Sequence, residues 1–374
     1  MNYARYEPVE KLKEYVSLPA GSHDLQELED FARMLIRDFG DLGFSLERHD
    51  HDQAGPTLIF RRGKGERRLM LMGHMDTAFP RDEAQSYKME GDLAYGCGAG
   101  DMRGGLVVML FALKQALERI DFERYSIAAV IHSDGETGAL ASWPLIQREA
   151  QNSFAVLGFA PMSQVGGLIL ERRGASAFEL QCAGAQGDAE APRGSDASAI
   201  QELANRIVGL YGLRDDGRGI DINISSIEGG TGQGGLASEA SAHGEARYDH
   251  EQDRAGLLEK IETLCAAPGL KGSTTRLLWG AHKPALKATQ ESKALLQAAR
   301  RIAMEMGVEL APERMGAPGD IAFAALTGIP ALDGLGMMGG GAHTRFEYTR
   351  LDRVPFKIAL AARLIEELTW NEVC

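Results

Sequence analysis

The chain has 374 residues, 44% of them hydrophobic and 25% charged, which is typical of a folded globular protein and excludes a mainly disordered one. Its formal net charge of −13 at pH 7 argues against nucleic acid or an anionic membrane as a partner. The apolar runs are too short to cross a membrane, the first residues do not form a secretory signal, and the four cysteines form no CxxC pair, so we expect a cytoplasmic protein.

Strands and helices alternate in the first part of the chain. Helical spacing runs from Leu28 to Ile36, and a buried strand at 68–72 is followed by a glycine-rich turn and a helix over Met102–Leu117. A second buried strand covers Ser126–His132. This order is typical of an α/β fold with a mainly parallel sheet.

The pattern changes near residue 172 and then reads β-α-β-β-α-β. An amphipathic helix over Asp196–Tyr211 and a second one over Arg254–Cys265 are interleaved with alternating strands. The apolar stripe of the first helix is predicted to comprise Ile200, Leu203, Ala204, Ile207, Val208 and Tyr211. This order predicts a small α+β domain of the split βαβ type. Because the α/β pattern returns after Pro284, we expect a discontinuous domain of residues 1–172 and 283–374 with the small domain, 173–282, inserted.

Side chains that bind metals lie in four segments, mostly directly after predicted strands. His74 and Asp76 follow one buried strand, and Asp134 and Glu136 follow another. Asp101 begins a helix, and His343 ends a glycine run. In an open α/β sheet, ligands gather at the carboxyl ends of the strands. Each segment alone has an ordinary structural explanation, such as a hydrogen-bonded His–Asp pair, but the four together in this context favour a metal site.

The same segments resemble a known family. LMLMGHMDTAFP, YGCGAGDMRGG, HSDGETGALAS and GGGAHTRFEYTRLDRV are similar, in this order, to motifs of the zinc aminoacylase, glutamate carboxypeptidase and succinyl-diaminopimelate desuccinylase superfamily. The resemblance covers nearly the whole chain. It implies a metallopeptidase-type catalytic domain with an inserted lid domain, two zinc ions, hydrolysis of an amide bond next to a carboxylate, and a homodimer formed through the lid.

The resemblance also implies a role for each matching residue. His74 would bind one metal with Asp76 behind it, Asp101 would bridge both metals, and Glu136 and His343 would bind the other metal. The bond between Asp101 and Met102 would be cis. Arg247, and Gly319 in the glycine-rich run, would contact a carboxylate-bearing small-molecule substrate.

Four positions depart from the family pattern. Gly135 replaces the glutamate that serves as general base, and Ala160 replaces an acidic metal ligand. Asp188 replaces a histidine that holds the oxyanion, and Gly234 replaces an asparagine. A catalytic zinc normally has three protein ligands, so we expect at most one tightly bound zinc ion, held by Asp101, Glu136 and His343.

Two main hypotheses remain open. The chain is either a divergent metallohydrolase with a substitute base, for which Asp134 and Asp188 are the candidates, or a hydrolytically inactive member. An inactive member would bind a small carboxylate or carry out a reaction that is not a hydrolysis. A purely structural partner protein is a third class, but it would leave the cluster of metal-binding side chains without a use. The sequence favours, narrowly, a family fold with altered or absent chemistry.

Overall fold

The computed structural model describes residues 6–18, 20–80, 82–162, 166–184, 197–230, 236–267 and 269–370. The helices are α1 (Glu7–Val16), α2 (Leu25–Asp41), α3 (Arg103–Ala116), α4 (Trp143–Gln151), α5 (Ala199–Tyr211), α6 (Glu251–Ala266), α7 (Gln290–Glu305), α8 (Ile321–Ala325) and α9 (Val354–Leu368). The strands are β1 (Ser45–His49), β2 (Thr57–Arg62), β3 (Arg67–His74), β4 (Lys88–Glu90), β5 (Leu93–Tyr95), β6 (Tyr125–His132), β7 (Ala155–Gly158), β8 (Leu168–Arg172), β9 (Gly174–Ala183), β10 (Asp221–Gly229), β11 (Glu239–Tyr248), β12 (Thr274–Lys283), β13 (Pro312–Met315), β14 (Ala331–Leu332), β15 (Gly339–Gly340) and β16 (Tyr348–Arg350).

The chain divides into two compact units. The first comprises Met1–Glu171, Lys287–Met315 and Gly319–Cys374, and the second comprises Arg172–Leu286 and Gly316–Pro318. We call the first the catalytic unit and the second the lid unit, after the domains that the sequence resemblance implies. None of the described helices combines the length and the apolar character that a membrane crossing requires.

A mixed sheet with strand order β1-β2-β6-β3-β7-β14 forms the centre of the catalytic unit. The pairs among β6, β3, β7 and β14 are parallel, whereas β1 and β2 add an antiparallel edge. Every residue of β6 is buried, as is the stretch from Leu69 to Gly73 in β3. Strands covered on both faces are expected in a parallel sheet and explain the continuous apolar runs in the sequence. The predicted α/β fold with a mainly parallel sheet is therefore confirmed.

Parallel pairing brings the ends of three strands to one edge of this sheet. His74 at the end of β3 lies directly opposite His132 at the end of β6, and β7 ends at Gly158 on the other side of β3. The turns that follow these strands therefore emerge side by side. They contain His74 to Asp76, His132 to Glu136, and Ala160.

The lid unit has the predicted order β9-α5-β10-β11-α6-β12. Its strands form an antiparallel sheet of order β10-β11-β9-β12. Phe178, Leu180 and Cys182 alternate along β9 and are buried in the core of this unit, as their spacing predicts. The small split βαβ domain predicted from the sequence is thus confirmed as a fold.

The predicted apolar stripe of α5 is wrong in part. Ile200, Val208 and Tyr211 are 46%, 73% and 36% exposed. The buried face carries Leu203, Leu210 and two charged residues, and it is rotated from the predicted stripe. Glu202 and Arg206 form an ion pair of 2.7 Å on this face, so α5 packs its charged pair inward and leaves apolar residues outside. Leu203 and Ile207 of the predicted stripe do pack in the lid core. Apolar periodicity takes no account of a buried ion pair, so the prediction left out Glu202 and Arg206 and included exposed residues instead.

Candidate metal centre

Asp101, Glu136 and His343 converge in the catalytic unit. Each offers one ligand atom, and these three atoms lie within 4.8 Å of one another. Nε2 of His343 is 3.1 Å from Oε2 of Glu136 and 3.3 Å from Oδ2 of Asp101. Hydrogen bonds to Asp101 and Glu136 raise the pKa of His343 to about 10. A histidine with two carboxylates is a donor set that zinc accepts at catalytic sites.

Two details of this cluster fit a cation. Oε1 of Glu136 is buried and has no hydrogen-bond partner, although Oε2 of the same carboxylate contacts His343. A buried carboxylate oxygen without a partner is costly unless a cation or a donor reaches it. His343 has a φ of +60°, a left-handed conformation that few residues other than glycine adopt and that is frequent at functional sites. The residues present therefore fit a metal ion held by this group.

His74 lies beside the cluster and contacts only one of its members. Its Nε2 is 3.6 Å from Oδ1 of Asp101, and its Nδ1 is 3.1 Å from Oδ1 of Asp76. Burial opposes its protonation, but the two carboxylates raise the pKa of His74 well above the ordinary value. Among the described residues, no second group of three ligands forms around His74. A metal bound on this side would have only His74 and Asp101 as ligands from that set.

Asp76 organises more of the centre than the sequence indicates. Its carboxylate accepts hydrogen bonds from the backbone N–H groups of Gly135 and Glu136, both at 3.0 Å. It also accepts one from the hydroxyl of Ser22 at 2.8 Å. Burial opposes its ionisation, but the hydrogen bond and charge of His74 lower the pKa of Asp76 to about 2. One buried carboxylate therefore fixes His74 and also the turn that carries Glu136.

Neighbouring donors engage both carboxylate oxygens of Asp134, the predicted substitute base. It is 3% exposed and accepts hydrogen bonds from the Ser142 hydroxyl, from the backbone N–H groups of Ala141 and Ser142, and from Nδ1 of His132. Burial opposes its ionisation, but His132 and these donors lower the pKa of Asp134 well below the ordinary value. A carboxylate with both oxygens engaged in this way is a poor proton acceptor, which argues against Asp134 as the substitute base. The other candidate, Asp188, lies outside the described residues, as does Gly234.

Gly135 is packed directly against His74. A Cβ placed on Gly135 would lie 2.4 Å from Cγ and 2.7 Å from Cδ2 of His74. Real Cβ atoms do not come so close to another heavy atom. The imidazole of His74 occupies the space that a side chain at residue 135 would need. A general base at this position would therefore require His74 to move.

The remaining predicted positions lie near other partners. The amide of Ala160 donates to Oδ1 of Asp333 at 3.3 Å, and Gly319 precedes α8, where its carbonyl accepts a hydrogen bond from the amide of Ala322. Arg247 lies on β11 in the lid unit, where its guanidinium contacts Glu245, and it lines a cavity of about 490 Å³. The predicted cis bond between Asp101 and Met102 is confirmed.

A cavity of about 770 Å³ adjoins the metal centre within the catalytic unit. Glu136 and His343 line it together with Thr137 and two turns, 21–25 and 78–80. The first turn contains Ser22, His23 and Asp24, which the sequence did not single out. Polar residues that directly precede a helix usually serve as helix caps, so their position in the sequence did not indicate a functional site. Asp24 does cap α2, since it accepts a hydrogen bond from the N–H of Glu27.

Comparisons with known proteins agree with this architecture. Residues 70–367 match the model of peptidase family M20/M25/M40. Carboxypeptidase G2 from Pseudomonas sp. (strain RS-16) is 27% identical over 96% of this chain and 89% of its own. Succinyl-diaminopimelate desuccinylase from Alkalilimnicola ehrlichii is 28% identical over 83% of this chain and 86% of its own. The M20 family metallo-carboxypeptidase Sso-CP2 from Sulfolobus solfataricus has a similar fold, with a TM-score of 0.81, 16% identity, and coverage of 97% of this chain and 99% of the other.

Proposed function

Since the chain belongs to peptidase family M20/M25/M40, whose members are metal-dependent peptidases that generally use zinc, we propose that it is a hydrolase that works with a single zinc ion. The proposed reaction is hydrolysis of an amide bond in a small molecule that carries a carboxylate. N-acyl amino acids and dipeptides are the substrate classes we favour, because the relatives include a carboxypeptidase and a desuccinylase.

The observation that carries this proposal is the convergence of Asp101, Glu136 and His343. These three side chains would hold the zinc ion, and three is the number of protein ligands that catalytic zinc sites normally have. The partnerless Oε1 of Glu136 and the left-handed backbone of His343 support the same assignment. On the other side only His74 and Asp101 are available among the described residues, which supports one metal rather than two.

A bound zinc ion supplies Lewis-acid activation of an amide carbonyl and of a water molecule. The chain provides the framework for that chemistry. The carboxylate of Asp76 binds both the backbone amide of Glu136 and the imidazole of His74, so one group positions these two residues of the centre. The cavity beside Glu136 and His343 is large enough for the acyl or amino-acid part of a small substrate.

Residue 135, where the family pattern has the glutamate that serves as general base, is glycine in this chain and cannot accept a proton. Asp134 is engaged by His132 and by the turn at 141–142. Apart from the proposed zinc ligands Glu136 and His343, the described residues that line the cavity include two with groups that accept protons, His23 and Asp24. We infer that one of them takes the proton of the attacking water, and His23 is favoured because Asp24 also caps α2.

Metal analysis combined with turnover tests the proposal. We expect one zinc ion per chain in the purified protein. We also expect measurable hydrolysis of N-acyl amino acids or dipeptides, detected as the appearance of the free amine. The His343→Ala and Glu136→Gln variants should lose both the zinc and the activity. His250→Ala, which removes an exposed histidine of the lid unit, is the matched control and should retain both.

The alternative is an inactive member that binds a small carboxylate. The packing of His74 on Gly135 favours it, because this arrangement leaves no space for the usual base. A protein that contains no zinc, hydrolyses none of these compounds and yet binds an N-acyl amino acid in calorimetry would support the alternative. Zinc-dependent turnover that is lost with His343 would exclude it.

A further inference from the structure

A buried carboxylate fills the glycine-rich turn that precedes Asp101. Oε1 of Glu347 accepts hydrogen bonds from the backbone N–H groups of Gly100 and Asp101, and Oε2 accepts one from that of Gly98. All three N···O distances are 2.8 Å. Glu347 is 3% exposed, so these donors replace the water that the carboxylate would otherwise bind.

Successive N–H groups in a turn form a concave site for an anion, and glycine-rich turns often use it for a phosphate. In this chain the group bound by these N–H donors is the carboxylate of Glu347. Gly98 has a φ of +80°, which lets its N–H point to the same centre as those of Gly100 and Asp101. The glycines of this motif thus serve to bind a carboxylate of the same chain.

Glu347 also belongs to the segment that supplies another member of the metal centre. His343 lies four residues before it, and the backbone carbonyl of Glu347 accepts a hydrogen bond from the amide of Gly96 at 3.3 Å. The segment at 343–347 is therefore attached to the turn at 96–101 through both its backbone and its side chain. These two segments, far apart in the sequence, provide Asp101 and His343, whose Oδ2 and Nε2 are 3.3 Å apart.

We propose that Glu347 is a positioning residue that sets the separation of Asp101 and His343 and thereby the affinity for the metal. It does not contact the metal itself. Its carboxylate holds the amide of Asp101, so that the side chain starts from a fixed backbone position opposite His343. This inference rests on the proposed zinc site and identifies the group that preorganises it. Groups behind metal ligands typically change metal affinity by 10- to 100-fold when they are replaced.

Zinc affinity of the Glu347→Gln variant tests the inference. Glutamine keeps the size of the side chain but puts an NH₂ group opposite one set of N–H donors, so at least one of the three hydrogen bonds is lost. We expect zinc affinity, measured by competition with a chromophoric chelator, to fall 10- to 100-fold. The thermal midpoint of the metal-free variant is measured in parallel, and affinity is compared where both proteins are folded.

Glu202→Gln is the matched control. Glu202 is also a buried carboxylate that accepts a backbone hydrogen bond, from Leu270 at 2.8 Å, but it lies in the lid unit. We expect this variant to lose stability and to bind zinc like the wild type. Glu347→Asp, whose shorter side chain cannot reach all three donors, provides the same zinc measurement if Glu347→Gln does not fold.

Unchanged zinc affinity in a folded Glu347 variant would overturn the inference and leave the proposed function standing. A wild-type protein that binds no zinc would contradict the proposed function, and the inference, which depends on the zinc site, would fail with it. A loss of affinity confined to the Glu347 variants would support both.

Discussion

Asp76 shows how much of this centre depends on one side chain. Its carboxylate joins the turn after β3 to the turn after β6 through the amides of Gly135 and Glu136, and it also binds His74. The HxD spacing indicated only the contact with the histidine. The amide contacts explain why Glu136 can point into the centre although its neighbour is a glycine, since the backbone there is fixed by a charged acceptor.

At Gly135, we predict that adding a side chain destabilises the protein rather than restoring a base. Gly135→Ala and Gly135→Glu should both lower the free energy of unfolding by about 1–3 kcal/mol, because even a Cβ collides with His74. Denaturant unfolding measures the loss.

The double variant Gly135→Ala/His74→Ala provides the control for this mechanism. Its destabilisation should be smaller than the sum of the two single variants, because the collision is removed. Additive losses, or a Gly135→Glu variant as stable as the wild type and more active, would contradict the prediction.

Lys357 gives a prediction about pH. It is 1% exposed, its ammonium donates to the carbonyl of Gly334 at 2.9 Å, and burial lowers the pKa of Lys357 to about 7. An unfolded lysine has a pKa of about 10.4, so between about pH 7 and 10 the unfolded chain binds more protons than the folded one. The free energy of unfolding should therefore rise through this window and should not gain from this lysine below it.

Comparison with Lys357→Met isolates that effect. The stability of the wild type relative to the variant should increase from pH 7 to pH 10 in denaturant titrations at constant ionic strength. Lys64→Met removes an exposed charge of the same sign and shows what net charge alone contributes. A wild-type and Lys357→Met difference that stays constant across the window would refute the assignment.

Among the elements, α5 is the one whose packing the sequence described least well. Arg206 lies on its buried face, donates to Glu202 and Thr275, and reaches the carbonyl of Ala267 at 2.7 Å. We predict that Arg206→Ala lowers the free energy of unfolding of the lid unit by about 3–5 kcal/mol, because Glu202 would remain buried without its ion-pair partner.

Val208→Ala, on the exposed side of the same helix, is the control for this prediction. Because Val208 also lies in the dimer contact proposed below, both variants are made in an Ile227→Lys background, which is expected to be monomeric. In that background Val208→Ala should change stability by no more than about 0.5 kcal/mol. Differential scanning calorimetry would show both effects. If Val208→Ala proved more harmful than Arg206→Ala, the apolar stripe expected from the sequence would be right and the observed packing wrong.

At the scale of the whole molecule, we propose that two copies associate through the lid unit. The outer face of α5 exposes Ile200 and Val208, and the neighbouring strand β10 exposes Ile227 to 61% at the edge of its sheet. Nearby, the hydroxyl of Tyr211 accepts a hydrogen bond from the amide of Ile224, which ties the helix to the same strand. An exposed sheet edge beside apolar side chains suits pairing with an identical copy around a two-fold axis.

Light scattering during size-exclusion chromatography would measure this association. We expect the wild type to elute as a dimer and Val208→Glu or Ile227→Lys to elute as a monomer with unchanged helix content by circular dichroism. Exposed Leu326, in the catalytic unit, provides the control Leu326→Glu, which should stay dimeric. A monomeric wild type at micromolar concentration would contradict the proposal.

The family and the fold class could be predicted from the sequence because each rests on local patterns. Buried strands such as β6 are continuous apolar runs, and β9 and β11 of the lid unit alternate in their burial. His74, Asp101, Glu136 and His343 could be selected because they occupy turns or the end of a strand. Parallel pairing then brings the turns after β3 and β6 to one edge of the sheet.

Only the tertiary structure showed which contacts hold these residues in place. Glu347 meets the turn at Gly98–Asp101, Asp76 meets the amides of residues 135 and 136, and Arg206 turns inward. Such contacts join segments tens or hundreds of residues apart, or follow from the orientation of one element on another. No local periodicity or spacing encodes them. The sequence by itself therefore determined the family, the fold and the candidate ligands. Only the folded structure showed that both oxygens of Asp134 accept hydrogen bonds from nearby donors and that Gly135 packs against His74, because these contacts depend on how the turns fold and on which strands pair.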